Sequence, residues 1–210
     1  TFRLNTHMLD EAREAPEAVA RQLAHNDTDY ARFGALLREQ DPTALLTVAR
    51  GSSDHAAHFL AYLVMARMGR LVTSLPMSLI TLYQSQIACQ GLVSLAFSQS
   101  GQSPDLVAPT QFFTHGGATT AAFVNKPDSP LAKAAQWVFP LHAGVEASVA
   151  ATKSYIAQLV AGARVVAAWQ DDLVLQSALS IGRSERSTFS FSLRTALGSN
   201  WLGGSIAVRH

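Results

Sequence analysis

Leu95-Ala96-Phe97-Ser98-Gln99-Ser100-Gly101-Gln102-Ser103-Pro104-Asp105 is the stretch from which this fold is read. An apolar run ends in small hydroxyl residues around one glycine, and Pro104 and Asp105 then open a helix. Backbone N–H groups at a helix start lack helical partners, and the helix dipole adds partial positive charge there. With the hydroxyls of Ser98, Ser100 and Ser103 completing an anion's shell, the stretch reads as a phosphate cradle that needs no Lys or Arg. Pro104 suits the first helical position because its missing N–H has no helical partner there. An ordinary Ser-Gly turn accounts for the same local residues.

Working outward, five short apolar runs occur at 44–49, 71–74, 92–97, 119–124 and 137–141. Segments with helical spacing lie between and after them, at 53–68, 77–86, 105–113, 130–135 and 148–169. Apolar strands alternating with helices predict an α/β three-layer sandwich, a five-stranded parallel sheet covered on both faces. N-terminal helices precede it: 8–25, broken or kinked at Pro16, and 28–40, capped by Asp27. In such sheets ligands sit beyond the carboxyl ends of the strands, where the strand order reverses. The first and third runs end in Arg50-Gly51-Ser52-Ser53-Asp54 and in Ser98 to Ser103, so both hydroxyl-rich loops are placed to share one ligand. After Trp169 the segment 170–176 reads as a linker or helix start, and 178–181 as a further strand leading into Gly182-Arg183-Ser184.

Bulk properties narrow the function. The chain has 210 residues, enough for one well-buried α/β domain with some extra, and 48% of them are hydrophobic. A net charge of +1 with dispersed arginines gives no basic field, so nucleic acid is not an expected partner. The single cysteine, Cys89, excludes an internal disulfide and a cysteine metal cluster, and a cytoplasmic setting is expected. No apolar h-region and no stretch long enough to span a bilayer is present, so no membrane association is expected. The chain begins without Met, which leaves room for residues ahead of Thr1. The phosphate loop of nucleoside triphosphatases, the dinucleotide fingerprint and the Gly-x-Ser-x-Gly elbow are all missing.

Three further features bear on chemistry. Gly51 permits close backbone approach, and Ser52 or Ser53 is expected to cap the helix that follows while the other faces a ligand. His55 and His58 are three apart without further metal ligands at fitting spacing; they read as surface or packing residues, with His55 nearer the cleft. The loop from Ala143 to Tyr155 carries small residues from Ala147 to Ala151 that let backbone approach a ligand. Its Glu146 is suited to hold sugar hydroxyls, to act as a base, or to pair with Lys153, the pair being the simplest assignment.

Taken in order, Ala49-Arg50-Gly51-Ser52-Ser53, then Phe97 to Asp105, then Glu146-Ala147-Ser148-Val149-Ala150-Ala151-Thr152-Lys153 resemble the sugar isomerase (SIS) domain family. They are similar to the isomerase region of glutamine–fructose-6-phosphate aminotransferase and to stand-alone glucosamine-6-phosphate deaminases, and Met8 to Pro16 resembles the helix ahead of that region. The resemblance implies a flavodoxin-like SIS domain over 41–169 after N-terminal helices over 1–40. It makes 170–210 a linker and the partial or divergent start of a second SIS half. Ser98, Gln99, Ser100 and Ser103 would then hold a sugar phosphate, with Gly101 and Gln102 in the same loop. Gly51, Ser52 and Ser53 would contact sugar or phosphate, and Val149, Ala150 and Ala151 would meet the sugar through backbone.

By the same resemblance the activity is isomerisation or deamination of amino-sugar phosphates of the glucosamine 6-phosphate/fructose 6-phosphate type. A glutaminase domain has no counterpart in the sequence, so free ammonia or water is the expected co-reactant. No metal or cofactor is needed. In the family the base glutamate and a lysine come from a second SIS half, and a histidine comes from a neighbouring subunit. Ser180-Ile181-Gly182-Arg183 resembles the opening strand of that half and Val208-Arg209-His210 the histidine segment, but the glutamate-bearing helix is absent. No catalytic residue is therefore assigned. The alternative is a non-catalytic phosphosugar sensor. A homodimer is expected from the stripe Phe59, Leu60, Leu63, Val64 and Met65, which core packing explains equally well.

Overall fold

The computed structural model describes residues 6–181. Two short helices, α1 (His7–Arg13) and α2 (Ala15–Leu23), part at Glu14, with Pro16 seated in the first turn of the second. After α3 (Asp27–Gln40) come β1 (Ala44–Ala49), α4 (Ser52–Met68), β2 (Leu71–Ser74) and α5 (Ser78–Thr81). The chain continues through β3 (Val93–Ser98), α6 (Pro104–His115), β4 (Thr119–Val124), α7 (Pro130–Ala134) and β5 (Trp137–Pro140). Two helices, α8 (Lys153–Gln170) and α9 (Leu173–Ile181), complete the described part.

All five strands are parallel in the order β2-β1-β3-β4-β5, with Ala49 beside Phe97 and Ser98 beside Val124. Successive side chains point to opposite faces of a sheet, and each strand therefore feeds two cores. Leu45, Leu95, Phe97, Phe123 and Phe139 enter the core shared with α2, α3, α4 and α8. Their ring ladder is close, with Phe97–Phe123 centroids 4.5 Å and Phe123–Phe139 centroids 5.1 Å apart. Leu46, Val48, Ala96, Ala122 and Val124 enter the other core, with Leu106, Phe113 and Leu131 from α6 and α7. α8 packs against α3 so closely that a Cβ on Gly34 would run into the Ala168 carbonyl.

Several local expectations change. Asp27 opens α3 rather than capping it; Asn26 holds the cap position in the left-handed region, and Asp27 meets Arg164 at 2.7 Å. Helix over 77–86 shrinks to the four residues of α5, because Leu82 and Tyr83 find no cover and Gln84 turns left-handed (φ 49°). The strand expected at 178–181 is the end of α9: Asp172 Oδ1 accepts from the Val174 and Leu175 amides, and Leu175, Ala178 and Leu179 are buried at helical spacing. The same finding makes Ser180 and Ile181 helical, and the rest of the expected second half lies outside the described residues. In α4, Leu60, Leu63 and Val64 are core residues, whereas Met65 is 42% exposed.

Candidate functional site

The chain leaves β1 toward β2 on one side and returns to β3 on the other, so the order reverses between β1 and β3. A crevice opens at their carboxyl ends for that reason. It is a cleft of about 290 Å³, lined by Arg50, Gly51, Ser52 and Ser53 after β1, and by Ser98, Gln99, Ser100 and Ser103 after β3. Glu146, Ser148, Val149 and Ala151, from the loop before α8, close a third side. The three loops singled out in the sequence meet in space.

Gly101, Gln102 and Ala150 stand outside the lining. Gly101 shapes the turn instead. It adopts φ 64°, its N–H donates to Ser98 Oγ at 2.9 Å, and a Cβ there would overlap the Ser129 hydroxyl. Gln102 N–H donates to Ser100 Oγ at 3.3 Å. Ser53 Oγ accepts from Gln158 Nε2 at 3.0 Å. The expected serine cap of α4 is not made; Gly51 takes the cap position, with no side-chain cap bond. Ser103 at the cap of α6 likewise makes no side-chain cap bond. Two helix starts thus open on one cleft with uncapped amides, the arrangement that favours an anion. Arg50 is the cationic side chain of the lining, and it is ion-paired to Asp105 at the start of α6.

Two carboxylates hold the third loop. Glu146 accepts from the Thr152 amide at 2.8 Å and hydroxyl at 3.1 Å, from the Ser154 amide at 3.3 Å, and from the Ser154 hydroxyl. These bonds start α8 at Lys153, later than the sequence pattern indicates. Lys153 does not pair with Glu146; it is 3% exposed and reaches Glu14 at 2.6 Å. Glu11 of α1 is 8% exposed and accepts from the Ala147 amide at 2.6 Å and the Ser148 amide at 3.2 Å. Bonds from Ser148 and Ala147 hold its carboxyl below the usual carboxylate value. At the base of the loop Asn125 donates to Gly144 O at 2.6 Å and accepts from the Ala143 amide at 2.9 Å.

Arg21 Nη2 donates to Ala143 O at 3.1 Å; this contact and that of Glu11 join segments more than 100 residues apart, and the Asn125 contacts also cross between elements, so none has a motif in the sequence. His55 is exposed and stands outside the cleft lining, against the expectation that it faces the cleft; His58 Nδ1 lies 2.8 Å from Asp54 O. Among the described residues no group of three or more His, Cys, Asp or Glu is gathered to hold a metal, and no helix is long and apolar enough to cross a membrane.

Residues 37–168, more than half of the chain, match the SIS domain family. The chain is an SIS-domain protein. A glutamine–fructose-6-phosphate aminotransferase of Thermus thermophilus is 28% identical over 187 residues, 86% of this chain and 31% of its own length. A crystal structure from Silicibacter pomeroyi, described as a phosphosugar isomerase, is 39% identical with a TM-score of 0.81, over 93% of this chain and 57% of that one. The glucosamine-6-phosphate deaminase of Thermotoga maritima shares the fold, with a TM-score of 0.64 at 14% identity over 85% of this chain and 54% of its own. The SIS domain here spans about a third or less of the length of the curated relatives it matches.

Proposed function

We propose that the cleft between β1, β3 and the loop before α8 binds a phosphosugar, and that the chain serves isomerisation of an amino-sugar phosphate coupled to deamination. One observation carries this reading: two uncapped helix starts, a ring of serine hydroxyls and a short run of small residues converge at the switch point. The dianion is assigned to the Ser98–Ser103 loop and the start of α4, where amides and hydroxyls replace its hydration. The sugar is assigned to the side closed by Val149 and Ala151. Ring opening and transfer of the C2 proton then need an acid–base group and a stabilised enediol or enamine between C1 and C2. Glu146 is not offered as that base, because its oxygens are committed to Thr152 and Ser154. The catalytic base stays unassigned.

The test is incubation of the 210-residue chain with glucosamine 6-phosphate or fructose 6-phosphate, following ammonia release and sugar interconversion, with calorimetric titration alongside. Binding with turnover is the expected result. Binding without turnover favours the sensor reading. Absence of binding to either phosphosugar overturns the assignment of the cleft.

A further inference from the structure

We infer that Glu11 is a positioning residue for ligand binding: its carboxylate, delivered by α1, clasps two amides of the third loop and so sets the course of the next three residues, of which Val149 and Ala151 line the cleft. The amides of Ala147 and Ser148 are taken by Glu11, and those of Thr152 and Ser154 by Glu146. Between these grips, the amides of Val149, Ala150 and Ala151 have no hydrogen bond among the described residues. Val149 and Ala151 line the cleft, and the Val149 side chain is wholly exposed. A buried carboxylate accepting two consecutive amides fixes their peptide planes, and so fixes the place and direction from which the chain enters Val149–Ala151. The tether is nonlocal, since Glu11 and Ala147 are 136 residues apart. α1 is docked beside the same loop a second time, by Glu14 on the buried Lys153.

The inference rests on the phosphosugar reading and adds which part of the ligand depends on α1. The phosphate cradle is built from β1, β3 and their helices and does not touch Glu11. The face assigned to the sugar does depend on it. Replacing Glu11 should therefore damage recognition of the sugar and leave recognition of phosphate alone.

The experiment compares wild type with Glu11→Ala, Glu11→Gln and, as a control at a half-exposed site, Asp10→Asn, all in the full chain. Calorimetric affinity is measured for fructose 6-phosphate and, separately, for inorganic phosphate. Expected for both Glu11 variants is an affinity for fructose 6-phosphate weakened about tenfold, with phosphate affinity and the Asp10→Asn protein unchanged. Amide hydrogen exchange at Ala147 and Ser148 should accelerate in Glu11→Ala, a readout that needs no ligand. Wild-type affinity for the phosphosugar in both Glu11 variants overturns the positioning role, and so does an equal loss for both ligands. A wild-type protein that ignores fructose 6-phosphate overturns the phosphosugar reading itself, whatever the exchange data show.

Discussion

The two sides of the cleft are built in opposite ways. On the cradle side the loops after β1 and β3 are short, each joins a strand directly to a helix, and much of their shape follows from residues within a few positions, with Gln99 O and Gly101 O also accepting from the Asn125 and Leu131 amides. Ser98 Oγ meets the Gly101 amide three residues on, and Pro104 starts α6 at once. On the other side, the loop from Ala143 to Thr152 adds to its local Glu146 grip the contacts of Glu11, Arg21 and Asn125, contributed by α1, α2 and the residue after β4. One wall is mainly local and the other leans more on tertiary contacts. The difference predicts which substitutions spread and which stay confined.

The local wall should break hardest at Gly101. Its φ of 64° lies where a side chain is strained, and a Cβ would collide with Ser129, whose hydroxyl accepts from the Ala132 amide at the start of α7. Gly101→Ala is expected to cost about 3 kcal/mol of stability, from left-handed strain together with overpacking. Urea unfolding measures this directly. A variant as stable as wild type would mean the turn relaxes freely, and the contrast between a rigid local wall and a tethered one would fail.

That contrast also explains what the sequence makes legible. The strands and the meeting of the loops that follow them are readable because apolar runs, glycine and proline act on near neighbours, and β1, β2 and β4 match their apolar runs residue for residue. The late start of α8 is not readable: small residues from Ala147 continue a helical pattern, and only the Glu146 grip on Thr152 and Ser154 delays it. Lys153 and Glu146 stand at a spacing that suits an ion pair, yet the lysine turns to Glu14 on α1. The segment 178–181 is short and apolar, so its period cannot tell strand from helix, and burial against α8 decides for helix.

Within the cradle a single hydroxyl should matter less than the glycine that shapes it. Ser100 lines the cleft and, among the described residues, its Oγ is engaged by the Gln102 amide alone at a long 3.3 Å, which leaves it available to an anion. Ser100→Ala is expected to weaken phosphosugar affinity by about 1–2 kcal/mol, the worth of a hydrogen bond to a charged group, with stability nearly unchanged. Inorganic phosphate should lose affinity in proportion, unlike the Glu11 variants. Calorimetry on both ligands separates the walls: if Ser100→Ala spares inorganic phosphate, the dianion does not sit where the local wall places it.

The smallest effect belongs to the tethered wall and is read by pH. His142 lies at the foot of the third loop with φ 52°, its ring stacked on His25 at 4.5 Å and its Nε2 3.2 Å from Asn26 Nδ2. Its carbonyl accepts from Arg21 Nε at 3.1 Å, and beside the Arg21–Ala143 bond this joins the loop to α2. Burial lowers its pKa below the ordinary 6.5, and the charges of His25, Arg164 and Arg21 act in the same direction. A histidine whose folded pKa is depressed favours the native state when neutral. Its contribution is complete above the unfolded value and is lost as pH falls from there through the folded one. His142→Asn keeps a residue that tolerates the left-handed backbone and removes the titrating ring. Wild type should therefore lose more stability than His142→Asn between about pH 7 and about pH 5, read from urea midpoints. Equal losses would show that titration of the His142 ring is not coupled to docking of the third loop on α2, and would leave Glu11, Arg21 and Asn125 as the loop's anchors.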